Sequence, residues 1–259
     1  MAVACWRAGL LRKRVIPCLD VRAGRLVKGI NFESLRDCGD PVDAADRYAA
    51  DGADEIVWLN IAAGDESWAA LLAAVERAAE TVDVPLCVGG GVSSAEQARQ
   101  LLLAGADKIS VNTAPLDRPE LVSELAERFG SQCVVVAIDA TRQNGGWQAY
   151  AGAGRRPSGR DAVAWAVEAA QRGAGELLLT SIDSDGTRAG YDLELLAAVC
   201  AAVTVPVIAS GGAGSPTNIV AALRTGASAA LAASIFHDRI HPIADVKREV
   251  AACGIPVRI

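Results

Sequence analysis

Aromatic side chains are scarce: Phe, Trp and Tyr make up only 4% of the 259 residues, so a core must be built from Ala, Val, Leu and Ile. Histidine occurs only at His237 and His241, near the end in a stretch read as a loop, with no further ligand at useful spacing; no metal and no cofactor are expected. The seven cysteines (Cys5, Cys18, Cys38, Cys87, Cys133, Cys200, Cys253) are odd in number, scattered and free of any CxxC pair. They read as free thiols acting as small hydrophobes, and a reducing cytoplasm is the simplest home. There is no positive surplus either. A net charge of −6 argues against a nucleic-acid surface, so any anion must be held by local groups. No apolar run approaches the ~18 residues of a membrane span. Met1–Arg12 is too short for a signal peptide and lacks its basic-then-apolar order; it is read as a loose extension before one domain over 13–259.

What is present is apolar and periodic. Hydrophobic residues make up 51% of the chain. Strand-like runs fall at Arg14–Leu19, Glu55–Leu59, Pro85–Val88, Lys108–Val111, Cys133–Ile138, Glu176–Thr180, Val205–Ala209 and Ala229–Ala232. Ala-rich segments of helical period lie between and after them: Val42–Ala50, Trp68–Thr81, Ala95–Ala104, Pro119–Phe129, Asp161–Arg172, Leu193–Ala202, Thr217–Thr225 and Ile243–Ala252. Eight continuous apolar strands alternating with eight helices predict an α/β fold, a single (βα)8 barrel, with an open doubly wound sheet as the alternative.

An internal repeat favours the barrel. Asp20 and Asp139 are 119 residues apart, and Gly52-Ala53 and Gly105-Ala106 recur 121 residues later as Gly173-Ala174 and Gly226-Ala227. The chain reads as two half-barrels, roughly 13–130 and 131–259. Asp20 and Asp139 end the first and fifth strands, which lie opposite each other in an eight-stranded barrel. An ionisable residue closing a buried strand suits a pocket better than a core, so the pair is a candidate proton donor and acceptor. Two long connections, Val21–Asp40 and Ala140–Gly159, follow these strands and carry Arg22, Arg25, Lys28 and Arg36, and Arg142, Arg155 and Arg156. They are read as loops, either lids over the site or insertions.

Anion-binding turns are duplicated too. Gly89, Gly90 and Gly91 precede Ser93 and Ser94, possible caps of the third helix, and Ser210, Gly211 and Gly212 precede the seventh helix. Asn112 and Thr113 after the fourth strand, and Ala233 and Ser234 after the eighth, complete each nest. A small-molecule substrate with a phosphate at both ends follows. At the opposite end, Arg14, Glu55, Lys108 and Glu176 open the first, second, fourth and sixth strands; they fit either a ring around the barrel axis or ordinary pairing that shields strand ends.

These segments resemble the cyclase subunits of imidazole glycerol phosphate synthase, of histidine biosynthesis. The matching stretches include Arg14–Val21, Gly24–Gly29, Asn31–Asp37, Val88–Val92, Gly105–Thr113, Val134–Asp139, Gly173–Thr187 and Ile208–Gly214, and the likeness runs from about Lys13 to Arg258. The resemblance implies a barrel that joins ammonia to a bisphosphorylated ribulosyl formimino precursor and releases imidazole glycerol phosphate and aminoimidazole carboxamide ribotide. Asp20 and Asp139 match the family's acid/base pair and Lys28 the lysine of its mobile first loop. Thr180 and Asp185 fall in the Gly173–Thr187 stretch as substrate contacts. Arg14, Glu55, Lys108 and Glu176 match a gate for ammonia from a glutaminase subunit, the partner in a heterodimer. The sequence departs from the family's usual Asp and Thr at Asn60 and Ala62. That leaves room for a specialised paralogue acting on a related sugar phosphate. A sister isomerase using two aspartates, and a non-catalytic scaffold for the glutaminase, are the remaining alternatives.

Overall fold

In the computed structural model, residues 11–30, 33–61 and 65–259 are described, with the side chains of 28–30, 33–36 and 65–66 outside that description. Eight parallel strands close on themselves: β1 (Arg14–Arg22), β4 (Ile56–Asn60), β5 (Leu86–Gly89), β6 (Lys108–Val111), β7 (Val134–Gln143), β10 (Glu176–Ser181), β11 (Val207–Ser210) and β12 (Ala229–Ala232). Pairing of β7 with β10 and of β12 with β1 removes every barrel edge. The fold is therefore a (βα)8 barrel and not an open doubly wound sheet. Strands buried on both faces need no polar alternation, which explains runs such as Val134-Val135-Val136.

Outside the barrel lie α1 (Pro41–Ala50), α2 (Asp65–Thr81), α3 (Ala95–Leu103), α5 (Glu120–Phe129), α6 (Ala162–Gln171), α7 (Leu193–Ala202), α8 (Pro216–Arg224) and α10 (Ile243–Ala252). Their starts are written in the sequence. Asp40, Ser94, Asp161, Asp192 and Ser215 each turn a side-chain oxygen onto a backbone N–H of the first turn, satisfying a donor the helix leaves open. The main core lies between helices and strands, and the two largest buried side chains, Trp58 and Trp165, are in it.

The long connections are not loops. The residues after Asp20 continue β1 and return as β2 (Arg25–Ile30) and β3 (Glu33–Gly39); those after Asp139 continue β7 and return as β8 (Gly146–Ala151) and β9 (Arg156–Asp161). Each opening turn has two consecutive left-handed residues, Ala23 and Gly24 at φ 49° and 72°, and Asn144 and Gly145 at φ 51° and 81°. That geometry matches the twist of an antiparallel pair. Two short helices, α4 (Thr113–Asp117) and α9 (Ser234–His237), were also not expected from periodicity, being only about a turn long. His237 accordingly ends a helix and not a loop, and its Nδ1 meets the buried Tyr48 hydroxyl at 2.6 Å. Among the described residues no His/Cys/Asp/Glu group is arranged to hold a metal, and no helix is long and apolar enough to cross a membrane.

Candidate active site

Side chains alternate across a strand, so every second residue points into the barrel. On β1 the inward row is Arg14, Ile16, Cys18 and Asp20; on β7 it includes Val135, Ala137 and Asp139; on β6 it is Lys108 and Ser110, with Asn112 just past its end; and on β10 it is Glu176, Leu178 and Thr180. The same rows thus run from a charged ring at one end, through an apolar interior, to polar groups at the other. The interior cluster comprises Ile16, Cys18, Val57, Cys87, Val135, Leu178, Ile208, Ala229 and Leu231.

The polar end opens into a cavity of about 1510 Å³ whose walls include Asp20 and Asp139, on β1 and β7 across the barrel from each other. Asn112, Thr113, Thr180, Asp185, Ser210, Gly211, Gly212, Ala233, Ser234, Gly90 and Gly91 line the same cavity. Gly89 does not. It is a packing position, where a Cβ would stand 2.7 Å from that of Ser110 on the neighbouring strand. The side chains of Lys28 and Ala62 lie outside the described residues.

The two carboxylates have different surroundings. Asp139 is half-buried in the cavity wall, and desolvation first, with the Asp185 charge second, pushes its pKa up to about 7 against the opposing hydrogen bond from Asn112 Nδ2 to Asp139 Oδ2 at 2.8 Å. Asp20 lies 3.8 Å from the Cys18 thiol, which donates to its Oδ1. Close to neutrality, a protonated Asp139 can donate a proton to a group held between the two walls. Asn60, at the end of β4, accepts from Ser67 Oγ at 3.2 Å and stands on the same cavity wall.

Two backbone cradles flank this pair. Gly90 at φ 95° would drive a Cβ to 2.0 Å from the Asn60 carbonyl oxygen, and Gly212 at φ 102° one to 2.1 Å from the Gly190 carbonyl oxygen, so neither turn admits a side chain. Beyond them, Ser94 and Ser215 cap α3 and α8 in the same way. Asn112 and Ala233 share one unusual backbone shape, φ −130° and −123° with ψ −77° and −69°, each delivering the chain into a short helix. Exposed N–H groups at such turns form natural oxyanion sites. Sequence reasoning missed Ser67, Arg118 and Arg188 in the wall; none stands in a local motif that separates it from ordinary surface polarity.

At the other end, Arg14 pairs with both Glu55 and Glu176, and Lys108 Nζ lies 2.8 Å from Glu55 Oε2 and 2.9 Å from Glu176 Oε2. This is a closed ring of alternating charge. Burial pulls the Lys108 pKa down, but the two carboxylates outweigh it and hold the ammonium above its ordinary value. Both carboxylates are buried, and Glu55 Oε1 has no hydrogen-bond partner among the described residues.

Comparison with known proteins agrees with this architecture. Residues 14–242 match the family model described as "Histidine biosynthesis protein". Imidazole glycerol phosphate synthase subunit HisF of Synechococcus sp. is 56% identical over 253 residues, covering 95% of this chain and 98% of that protein. The proteins of the same name from Gluconacetobacter diazotrophicus and Dehalococcoides mccartyi are 53% and 54% identical, covering 96% of this chain and 97% and 99% of theirs. The chain belongs to the histidine biosynthesis protein family.

Proposed function

We propose that this chain is the cyclase subunit of imidazole glycerol phosphate synthase, an enzyme of histidine biosynthesis. It combines ammonia with the ribulosyl formimino bisphosphate precursor to yield imidazole glycerol phosphate and aminoimidazole carboxamide ribotide. The observation that carries the reading is one cavity with a carboxylate on each of two facing strands and a backbone anion cradle on either flank. Two cradles suit a substrate with phosphates at both ends, and anchoring both ends fixes the reacting carbons between Asp20 and Asp139.

In this reading Asp139, whose pKa desolvation raises to about 7, stays partly protonated at neutral pH and donates that proton as ammonia adds; Asp20 accepts the proton that the new nitrogen substituent loses. Ammonia in water at neutral pH is mostly ammonium, which is no nucleophile. The apolar interior solves this by admitting the neutral form only. Arg14, Glu55, Lys108 and Glu176 act as its gate, and a glutaminase subunit docks on that face in a heterodimer. The free thiols fit a reducing, cytoplasmic setting.

The test is a spectrophotometric assay of the purified chain with the formimino bisphosphate and ammonium salt at alkaline pH. Ammonia-dependent loss of the substrate supports the reading. Turnover of the unrearranged aldose precursor without ammonia, or no turnover of either compound, contradicts it.

A further inference from the structure

The two cradles are related by the internal repeat, yet their side-chain surroundings differ. Asp117 and Asp238 stand 121 residues apart, at or just after the ends of α4 and α9. Each binds an arginine from an unrelated element: Arg156 Nη2 lies 2.8 Å from Asp117 Oδ2, and Arg188 pairs with Asp238. At the Asp238 cradle the guanidinium is thereby committed. At the Asp117 cradle the committed residue is Arg156, and its neighbour Arg155 lines the cavity with no ion pair among the described residues.

Arg155 is also held in place. Gly152, Ala153 and Gly154 are three successive left-handed residues, with φ 62°, 56° and 77°, and fold the tip between β8 and β9 back on itself. Gly152 N–H donates to Thr113 Oγ1 at 2.9 Å, which ties the tip to the cradle, and Arg155 Nε donates to the Gly152 carbonyl at 3.0 Å. One guanidinium edge is used in this way, leaving the Nη groups for a ligand. Arg118, nearby on the wall, is bound to Glu124 at 2.9 Å. Arg22 lines the cavity without an ion pair among the described residues, but no hydrogen bond ties it to a cradle. A tethered cation beside a backbone anion cradle is the arrangement that binds a phosphate monoester dianion with two parallel N–H···O bonds.

We infer that Arg155 is a substrate-binding residue that clamps the phosphate in the Gly90–Gly91 and Asn112–Thr113 cradle, and that this added charge fixes which end of the bisphosphate enters which cradle. The inference rests on the proposed bisphosphate substrate. The tip places the clamp within reach of the cradle while Arg156 secures α4 through Asp117. Phosphate binding then costs little rearrangement.

The experiment compares the wild-type chain with Arg155→Gln, Arg155→Lys and Arg156→Gln. Affinity for the formimino bisphosphate is measured by calorimetry without ammonia, and KM and kcat are measured with ammonium salt. Loss of one bidentate charge-assisted contact weakens binding about tenfold or more. Arg155→Gln is therefore expected to raise Kd and KM by at least that factor with kcat within about threefold. Arg155→Lys should recover part of the loss, as a point charge without the fork. Arg156→Gln tests tethering alone, and should disturb the thermal transition more than Kd. Unchanged Kd and KM in Arg155→Gln, or a loss confined to kcat, overturns the inference while the activity stands. Absence of wild-type turnover and binding overturns instead the functional reading on which it rests.

Discussion

Asn112 Nδ2 donates to Asp139 Oδ2 at 2.8 Å, while the repeat-equivalent position beside the first carboxylate is Ala233, which has no side-chain donor. The amide that steadies Asp139 therefore has no counterpart at that repeat-equivalent position. The duplicated backbone is symmetrical; the chemistry at its two ends is not.

The first consequence is electrostatic. Asp139 titrates in the folded chain near 7, above the ordinary range of an unfolded Asp, so folding binds a proton more tightly. Its ionisation thus subtracts from stability as pH rises from about 4 to 7, and the full cost remains above that. Asp139→Asn removes the charge and should stabilise the chain by about 2–4 kcal/mol at pH 8, with the gain vanishing towards pH 4. Urea unfolding at both pH values checks this. A variant destabilised at pH 8 contradicts the desolvated-carboxylate account.

Asn112→Ala removes the hydrogen bond that opposes the rise, so the Asp139 pKa should move further up. The alkaline limb of kcat, measured at constant free ammonia, should shift to higher pH. A shift to lower pH contradicts the assignment of Asp139 as the proton donor.

The charged ring is separated from the cavity by the whole apolar interior. Lys108→Ala opens the ring without touching the cavity wall, so glutamine-driven turnover with the proposed glutaminase partner should fall several-fold more than turnover with added ammonium. Equal loss in both assays counts against a gate.

Below the barrel, Lys247 of α10 and Asp54 form a buried pair at 2.9 Å, Asp54 Oδ2 also accepting from Val15 N at 2.9 Å. Lys247 donates in addition to the Gly52 carbonyl at 2.8 Å. The pair joins the last helix to the first strand. Lys247→Met leaves Asp54 with the Val15 N–H and the more exposed Arg258, whose Nε lies 3.4 Å from Oδ1, and should cost about 1–3 kcal/mol, read by urea denaturation. Activity per folded molecule should be unchanged.

Much of the fold was legible because closed parallel barrels demand what the sequence displays: continuous apolar strands, Ala-rich helices and capping residues such as Ser94 and Ser215. Strand ends shifted by about one residue, as at Glu55, which precedes β4. The hairpins were missed although Asn144-Gly145 is a strong hairpin signal; β9 is polar and largely exposed and β8 mixes Gly, Gln and aromatics, so neither shows the continuous apolar run that marks the barrel strands. Both carboxylates read as strand ends, whereas β1 and β7 run on past Asp20 and Asp139 into the hairpins; what was legible is an ionisable residue closing the apolar part of each strand. The surroundings of Asp139 were not, because Asn112 and Asp185 reach it from the turns after the neighbouring strands β6 and β10, and only closure of the barrel brings them together. Gly89 was misread for the opposite reason: a close approach of strands and an anion turn both require glycine, and sequence does not separate them.

The most direct measurement is ammonium-driven turnover of the formimino bisphosphate by Asp20→Asn and Asp139→Asn, each verified as folded. Positioned acid–base catalysis is worth about 100-fold or more, so each variant should lose at least that much kcat while still binding substrate. Turnover near the wild-type rate in either variant would contradict the division of proton donor and acceptor between these two walls.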